Sequence, residues 1–335
     1  MIRMKTLILA EKDVKRLLSM EEVMEAAELA FAEQGTKRTQ MSPKAHLPYH
    51  KYNGDLRTMA SYLEGLDISA VEVSNVHEDN RTRFKMPTMM ATVIMIEPKN
   101  GSPIAIIGGT YLADMRTGAA GGVAAKHLAR KDSKFVGLIG AGAQARTQLM
   151  ALLTLYGSLE EVRVWSRTKQ TREEFLAYIK KEQSRRITRA VPVERAEDAV
   201  RGADIVATTT PSRVPIVLND WVKPGVHINC VGADAPGKQE LDPAILKRAK
   251  IVVDDFEQGS HSSEVNVPLS KGLLHQKDIW CSLGEIVAGL KPGRASDDEI
   301  TVFASTGLAI QDAITANIAY KKAMAHGLGQ MIELL

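Results

Sequence analysis

The feature that most restricts this chain lies between residues 135 and 157. Phe135-Val136-Gly137-Leu138-Ile139 reads as a short buried strand, and it runs directly into Gly140-Ala141-Gly142-Ala143-Gln144-Ala145 and a helical stretch that reaches Tyr156 and stops at Gly157. A strand that turns into a helix over a G-x-G-x-x-A tract belongs to a βαβ unit, and that unit requires a parallel sheet with crossovers. Gly140 permits the tight turn, Gly142 lets main-chain amides approach a pyrophosphate, and Ala145 lets helix and strand pack closely. The helix start adds partial positive charge, so the turn predicts a bound dinucleotide. Further strands are expected at 162–165, 188–193, 205–209, 226–231, 251–253 and 300–303, with helical stretches between most of them. That alternation is the mark of an α/β, Rossmann-type doubly wound parallel sheet.

The end of the second strand bears on which dinucleotide binds. A site for NAD wants an acid there to hold both ribose hydroxyls, yet Val164-Trp165 is followed by Ser166-Arg167-Thr168-Lys169. Hydroxyls and a guanidinium suit a 2′-phosphate, which favours NADP(H); an Arg167 that only stacks on adenine would admit NAD(H) as well.

Before residue 130 the grammar is different. Ser19-Met20-Glu21-Glu22 has capping-box spacing ahead of Val23, Ala26, Ala27, Leu29, Ala30 and Phe31, which fall broadly on one side, and Gly35 can stop that helix. Runs at 43–49, 56–63, 70–76 and 89–96 read as strands, Asn100-Gly101 as a hairpin turn before 102–107, and 114–130 as a helix of small residues suited to close packing. Lys131-Asp132-Ser133-Lys134 reads as a boundary, and 307–324 as a long helix that returns to the first module. The expectation is an α+β domain over 1–130 plus 307–335, and the dinucleotide domain over 131–306. A chain of 335 residues is longer than one core usually grows, which agrees with two domains.

Composition matters mainly for what it excludes. No apolar run approaches the roughly 18 residues of a membrane-spanning helix. The opening MIRMKTLILAEKDVKR meets charges at once and lacks a cleavage site, so cytoplasm is the expected compartment. The 43 basic and 40 acidic residues are spread along the chain, and the basic run 180–186 is broken by Glu182, which suits a solvated face rather than nucleic acid. Cys230 and Cys281 have neither disulfide nor zinc spacing, and His46 and His50 lack partners for a metal box. The expected partner is a small molecule, with no nucleic acid, membrane or metal.

One loop raises a chemical question. VGADAPGKQELD (231–242) follows the apolar run 226–230 and sets Asp234 and Lys238 around a Pro236-Gly237 turn. Open parallel sheets bind ligands outside the carboxyl ends of their strands, which is where Asp234 would stand. Its plainer reading is a cap for the helix near Asp242, and Lys238 reads as a ligand contact or as a solvated loop residue.

Seven segments together resemble the ornithine cyclodeaminase and mu-crystallin family, most closely its archaeal alanine dehydrogenase branch. They are DLRTMASYLEGL (55–66), ADMRTGAAGGVAAKHLARK (113–131), LIGAGAQA (138–145), TTTPSRVPIV (208–217), the 231–242 loop, KIVVDDFEQG (250–259) and GEIVAGLKPGRASDDEITVFASTGLAIQD (284–312). The resemblance implies a homodimer whose substrate site is built from the N-terminal module and the last helix. It also implies hydride transfer between an amino acid Cα and nicotinamide through an imine, as in an amino-acid dehydrogenase or imine reductase. Internal attack on the imine with loss of ammonia would make an ornithine cyclodeaminase, and the mu-crystallin precedent allows a nucleotide-dependent small-ligand binder.

By the same resemblance Asp234 and Lys44 are the catalytic candidates, Lys44 and Arg57 grip the substrate carboxylate, and Arg116 sits beside substrate or nicotinamide. The implied cofactor contacts are Arg116, Thr117, Gly140, Gly142, Ala143, Gln144, Ser166, Arg167, Thr168, Thr209, Val231, Gly232 and Asp234. Glu264, Asn266 and Asp312 are supporting groups, with loop capping the simpler role for the first two. One departure stands out: Glu72 occupies the position where the family pattern GxKxVNxHPxN has lysine, and it is counted among the substrate-binding candidates. An acid beside a buried carboxylate is repelled unless it is paired or neutralised. Glu72 is therefore expected to bind an ammonium on a diamino substrate, to pair with Lys44 or Arg57, or to have Lys85 stand in for the lost charge.

Overall fold

Burial alternates residue by residue along 59–63, 68–74, 91–95 and 105–107, the period of a sheet with one face packed on a core. In the computed structural model, which describes residues 5–334, these runs lie in one of two compact units. That unit runs to Arg116 and resumes at Leu308; the other spans Thr117–Gly307.

The first unit holds strands β1 (Lys5–Leu9), β2 (Thr39–Met41), β3 (Ala45–Tyr49), β4 (Gly54–Leu63), β5 (Ile68–His77), β6 (Met89–Ile96) and β7 (Pro103–Gly108), with a C-terminal strand Gln330–Glu333. Their order is C-terminal strand, β1, β7, β6, β5, β4, β2, with β3 also on β4. Only the β1–β7 pairing among these is parallel. Helices α1 (Glu11–Leu17), α2 (Met20–Gly35) and α3 (Asn80–Arg83) belong here too, and the last helix, Ala309–His326, packs on β4, β5, β6 and α2. The capping box forms as its spacing predicts: Glu22 N donates to Ser19 Oγ, and Ser19 N donates to the Glu22 carboxylate, each at 3.3 Å. Gly101, at φ +76°, makes the turn between β6 and β7.

The second unit contains β8 (Phe135–Ile139), β9 (Leu159–Trp165), β10 (Ile187–Pro192), β11 (Ile205–Thr208), β12 (His227–Cys230), β13 (Lys250–Val253), β14 (Ile279–Ser282) and β15 (Thr301–Ala304). They form one sheet in the order β10-β9-β8-β11-β12-β15-β13-β14, parallel throughout. This is a Rossmann-type doubly wound sheet, and the strand order reverses between β8 and β11.

Helix α4 (Thr110–Leu128) contains the boundary, which falls after Arg116 rather than in the Lys131–Lys134 loop. The reason is its small residues. A Cβ on Gly118 would stand 2.6 Å from the Thr147 main chain, and one on Gly121 would collide with the Gln148 amide, so the glycines let α4 lie against α5 (Ala143–Tyr156). Asn229 Nδ2 then donates to Gly121 O at 3.0 Å and to Gln148 Oε1 at 3.2 Å, and Gln148 Nε2 donates to Thr117 O at 3.0 Å. Among the described residues no helix is long and apolar enough to cross a membrane.

Gly118→Ala forces a methyl group against main chain that cannot rotate away. It should destabilise the protein by about 1–3 kcal/mol in urea unfolding; an unchanged midpoint would mean that the α4–α5 contact is not close packed.

Candidate functional site

The two glycines of the turn differ in their surroundings. Gly140 has φ +112°, a region that side chains avoid, and a Cβ there would strike Thr209 Oγ1. Its N–H donates to Trp165 O at 2.9 Å, which ties the ends of β8 and β9. Gly142 is the opposite case: it is exposed, and a Cβ there would meet nothing within 4 Å. It starts α5 without any side-chain cap, at the helix end where main-chain amides can meet an anion. Ala145 is fully buried against the strand. These residues fit a dinucleotide pyrophosphate.

Neighbouring strand ends complete the cluster. Thr209 N donates to Ile139 O at 2.8 Å, and Val231 N and Gly232 N both donate to Thr208 O, at 3.0 and 3.2 Å. Gly140, Thr209, Val231 and Gly232 therefore gather at the carboxyl ends of the adjacent strands β8, β11 and β12. At the end of β9 the hydroxyls are already engaged. Ser166 Oγ is bonded to Thr168 O at 3.1 Å and to the Thr171 hydroxyl, and Thr168 Oγ1 caps the helix α6 (Lys169–Glu182) by accepting from Thr171 N at 3.3 Å. Arg167, between them, is exposed.

Asp234 stands just past β12, half-buried, with Lys238 Nζ 2.5 Å from its Oδ1. The capping role belongs to Asp242, whose carboxylate accepts from Ala244 N at 2.9 Å. Two buried acids hold the loop. Glu240 accepts from Thr210 N at 2.7 Å and Gly232 N at 3.2 Å, and Glu264 accepts from Leu241 N at 2.7 Å and Glu240 N at 2.9 Å. Burial pushes the Glu240 carboxyl up to about 7, and Glu264 goes well above the usual range through burial and the nearby Glu240 charge. Glu264 thus serves as a main-chain clamp. Nothing in KQELD singled out Glu240 from the sequence alone.

In the first unit the β4–β5 register pairs Arg57 with Ser74 and Met59 with Glu72, so Arg57 and Glu72 share a face. Glu72 is buried, accepts from Ser74 Oγ at 3.3 Å and lies 3.9 Å from Arg116 Nη2. Its pairing with Arg116 was not among the accounts that the sequence suggested. Arg116, itself buried, donates through Nε to Asp312 Oδ1 at 2.8 Å and through Nη1 to Gln311 Oε1 at 3.4 Å. Arg57 pairs with Asp55 at 2.8 Å, and His46 Nε2 is 3.0 Å from the same carboxylate. Lys44 is half-buried between β2 and β3 and its charge acts on Asp312; Lys85 is exposed at φ +55°.

Asp312, ranked from sequence as a supporting group, is a direct partner of Arg116. Burial, and then repulsion from Glu72, push its carboxyl up to about 7 against the pull of Arg116 and Lys44. Its Oδ2, Gln311 Nε2 and Thr315 Oγ1 are buried without hydrogen-bond partners, so this end of the helix keeps unused polar valences.

Two expectations follow. The folded state holds a proton on Asp312 that the unfolded chain releases, so its contribution to stability is full below pH of about 4 and is lost as pH rises through about 7. Asp312→Asn should flatten the fall in unfolding free energy over that interval, and an unchanged slope would count against the raised carboxyl. Gly142→Val should shift stability by no more than about 1 kcal/mol yet weaken dinucleotide binding in a fluorescence titration; unaltered affinity would remove the turn from the site.

The comparisons with known proteins agree with this geometry. A model of the protein family described as ornithine cyclodeaminase/mu-crystallin matches residues 4–327. Alanine dehydrogenase of Archaeoglobus fulgidus is 46% identical over 330 residues, covering 98% of this chain and 99% of that protein. Among solved structures, an archaeal alanine dehydrogenase dimer with bound NAD superposes with a TM-score of 0.93 at 44% identity, over 99% of this chain and 100% of that one. The Δ1-pyrroline-2-carboxylate reductase of Thermococcus litoralis, in complex with NADH and L-proline, also gives 0.93, at 39% identity over 98% of this chain and 100% of that one.

Proposed function

The chain belongs to the ornithine cyclodeaminase/mu-crystallin family, and from that membership we propose that it is a cytoplasmic, homodimeric, nicotinamide-dinucleotide-dependent amino-acid dehydrogenase or imine reductase. It interconverts a small 2-amino acid with its imine or 2-oxo acid. The observation that carries this reading is the position of Asp234, a carboxylate just beyond the carboxyl end of β12, in the same strand-end cluster as the glycine turn of β8. The names of the relatives, an alanine dehydrogenase and a pyrroline-carboxylate reductase, support the same reaction class.

The dinucleotide, when bound, supplies the two-electron redox chemistry. Asp234 accepts a proton from the substrate ammonium, so that the free amine lone pair can stabilise the developing iminium, and its negative charge favours that cation. In the reverse direction the same carboxylate returns the proton to the amine. Lys44 and Arg57 hold the substrate carboxylate, Arg57 already oriented by Asp55. Where the imine forms from a 2-oxo acid and ammonia, Lys44 also assists catalysis by donating a proton to the carbinolamine hydroxyl, which leaves as water. Arg116, fixed by Asp312 and Gln311, presents a rigid cation whose surplus charge is offset by Glu72. The exposed Arg167, with Ser166 and Thr168 in place of an acid, supports NADP(H) as the preferred dinucleotide. NAD(H), named with the solved relatives, is the competing outcome.

The test follows the near-ultraviolet absorbance of the reduced nicotinamide with pyruvate plus ammonia and then with cyclic imines. Wild-type turnover should fall by roughly 10²–10⁴-fold in Asp234→Asn. Arg167→Asp should move preference from NADPH to NADH; an unmoved ratio would refute the 2′-phosphate role. Conversion of ornithine to proline and ammonia without net reduction would identify a cyclodeaminase instead, and saturable binding with no turnover a ligand binder.

A further inference from the structure

We propose that Lys238 is a positioning residue for Asp234, and that Asn266 holds Lys238 in place. The proposal rests on the reading of Asp234 as the proton acceptor. A carboxylate on a loop has rotamer freedom that a base must lose before it can meet a proton at the required geometry. Here the loop bends at Pro236-Gly237, with Gly237 at φ +79°, and Lys238 N closes the turn on Ala235 O at 3.2 Å. That bend brings Lys238 back over the turn, with its Nζ 2.5 Å from Asp234 Oδ1.

A solvated loop lysine would leave its stem in water, whereas the Lys238 side chain is only 17% exposed. Its main chain is gripped as well. Asn266 Oδ1 accepts from Gly237 N and Asn266 Nδ2 donates to Lys238 O, each at 2.9 Å, so one buried amide holds both sides of the 237–238 peptide. Arg213 Nη1 donates to Pro236 O at 3.1 Å on the other side of the bend. Charged groups that act on this loop include Arg213 and Glu264 from the segments packed against it, and Glu240 within the loop, besides Lys238 itself. The ammonium orients the carboxylate and favours its ionised, proton-accepting form, and Asn266 transmits that geometry through the backbone.

The experiment uses the full-length protein and two readouts. In the assay above, Lys238→Met should lower kcat by about 10- to 100-fold with the KM for the dinucleotide unchanged, Lys238→Arg should restore most of the loss, and Asn266→Ala should lower kcat in the same sense. Independently of turnover, carboxyl-carbon NMR should show the Asp234 resonance, identified by its absence in Asp234→Asn, titrating at higher pH in Lys238→Met than in wild type. Wild-type kcat in Lys238→Met beside an inactive Asp234→Asn would overturn the proposal and leave Asp234 in its role. Full activity in Asp234→Asn would overturn the underlying reading instead. An Asp234 titration that ignores Lys238, a loss that arginine does not restore, or a fully active Asn266→Ala would each sink the relay.

Discussion

The second unit depends on how closely β8 can turn into α5. Gly140 adopts a backbone conformation that other residues avoid, in a space that Thr209 closes to any side chain. That single turn brings the ends of β8, β9 and β11 into contact and aims the start of α5 outward without a side-chain cap. Gly142 contributes by leaving room rather than by filling it. The same rule operates at Gly118 and Gly121, where missing side chains let α4 lie on α5 and move the boundary between the units into the helix. Close approach of backbone to backbone, or of backbone to ligand, is the common constraint.

Buried charge is the second theme. Glu240 and Glu264 are removed from water, which raises both carboxyls, and the Glu240 charge raises Glu264 further, yet each accepts main-chain N–H groups that fix the loop of Asp234. Arg116 is matched by Asp312 and Glu72, and the desolvation of these acids is offset by one guanidinium with several donors. Such groups are poor devices for stability. They make sense as devices for geometry, because a buried hydrogen-bonded charge has one orientation whereas an exposed one has many.

Much of the fold was legible in the sequence. The β8-turn-α5 unit, the capping box at Ser19, the hairpin at Gly101 and the central strands of both sheets have local signals: glycine conformation, cap chemistry and alternating burial. Elements without such signals were missed. β1, the C-terminal strand, β2 and β14 are short, and β14 carries an exposed Trp280 in the middle of its run, so only their pairing partners make them strands. The partner of Glu72 was equally hidden, because Arg116 reaches it from a helix that starts far along the chain, and so was the clamp formed by Glu240.

By itself the sequence determined the parallel α/β class, the dinucleotide turn and the family, since those depend on residue types at fixed local spacing. Through the family resemblance it also proposed Asp234, Lys44, Arg57 and Arg116 as site residues, because charged groups at shared motif positions can be read along one dimension. Only the tertiary structure decided which carboxylate answers which cation: Glu72 and Asp312 to Arg116, Asp55 to Arg57, Asp234 to Lys238. The physical reason is that pairing energy depends on distance and on exclusion of water, and both arise from strands and helices that are remote in sequence.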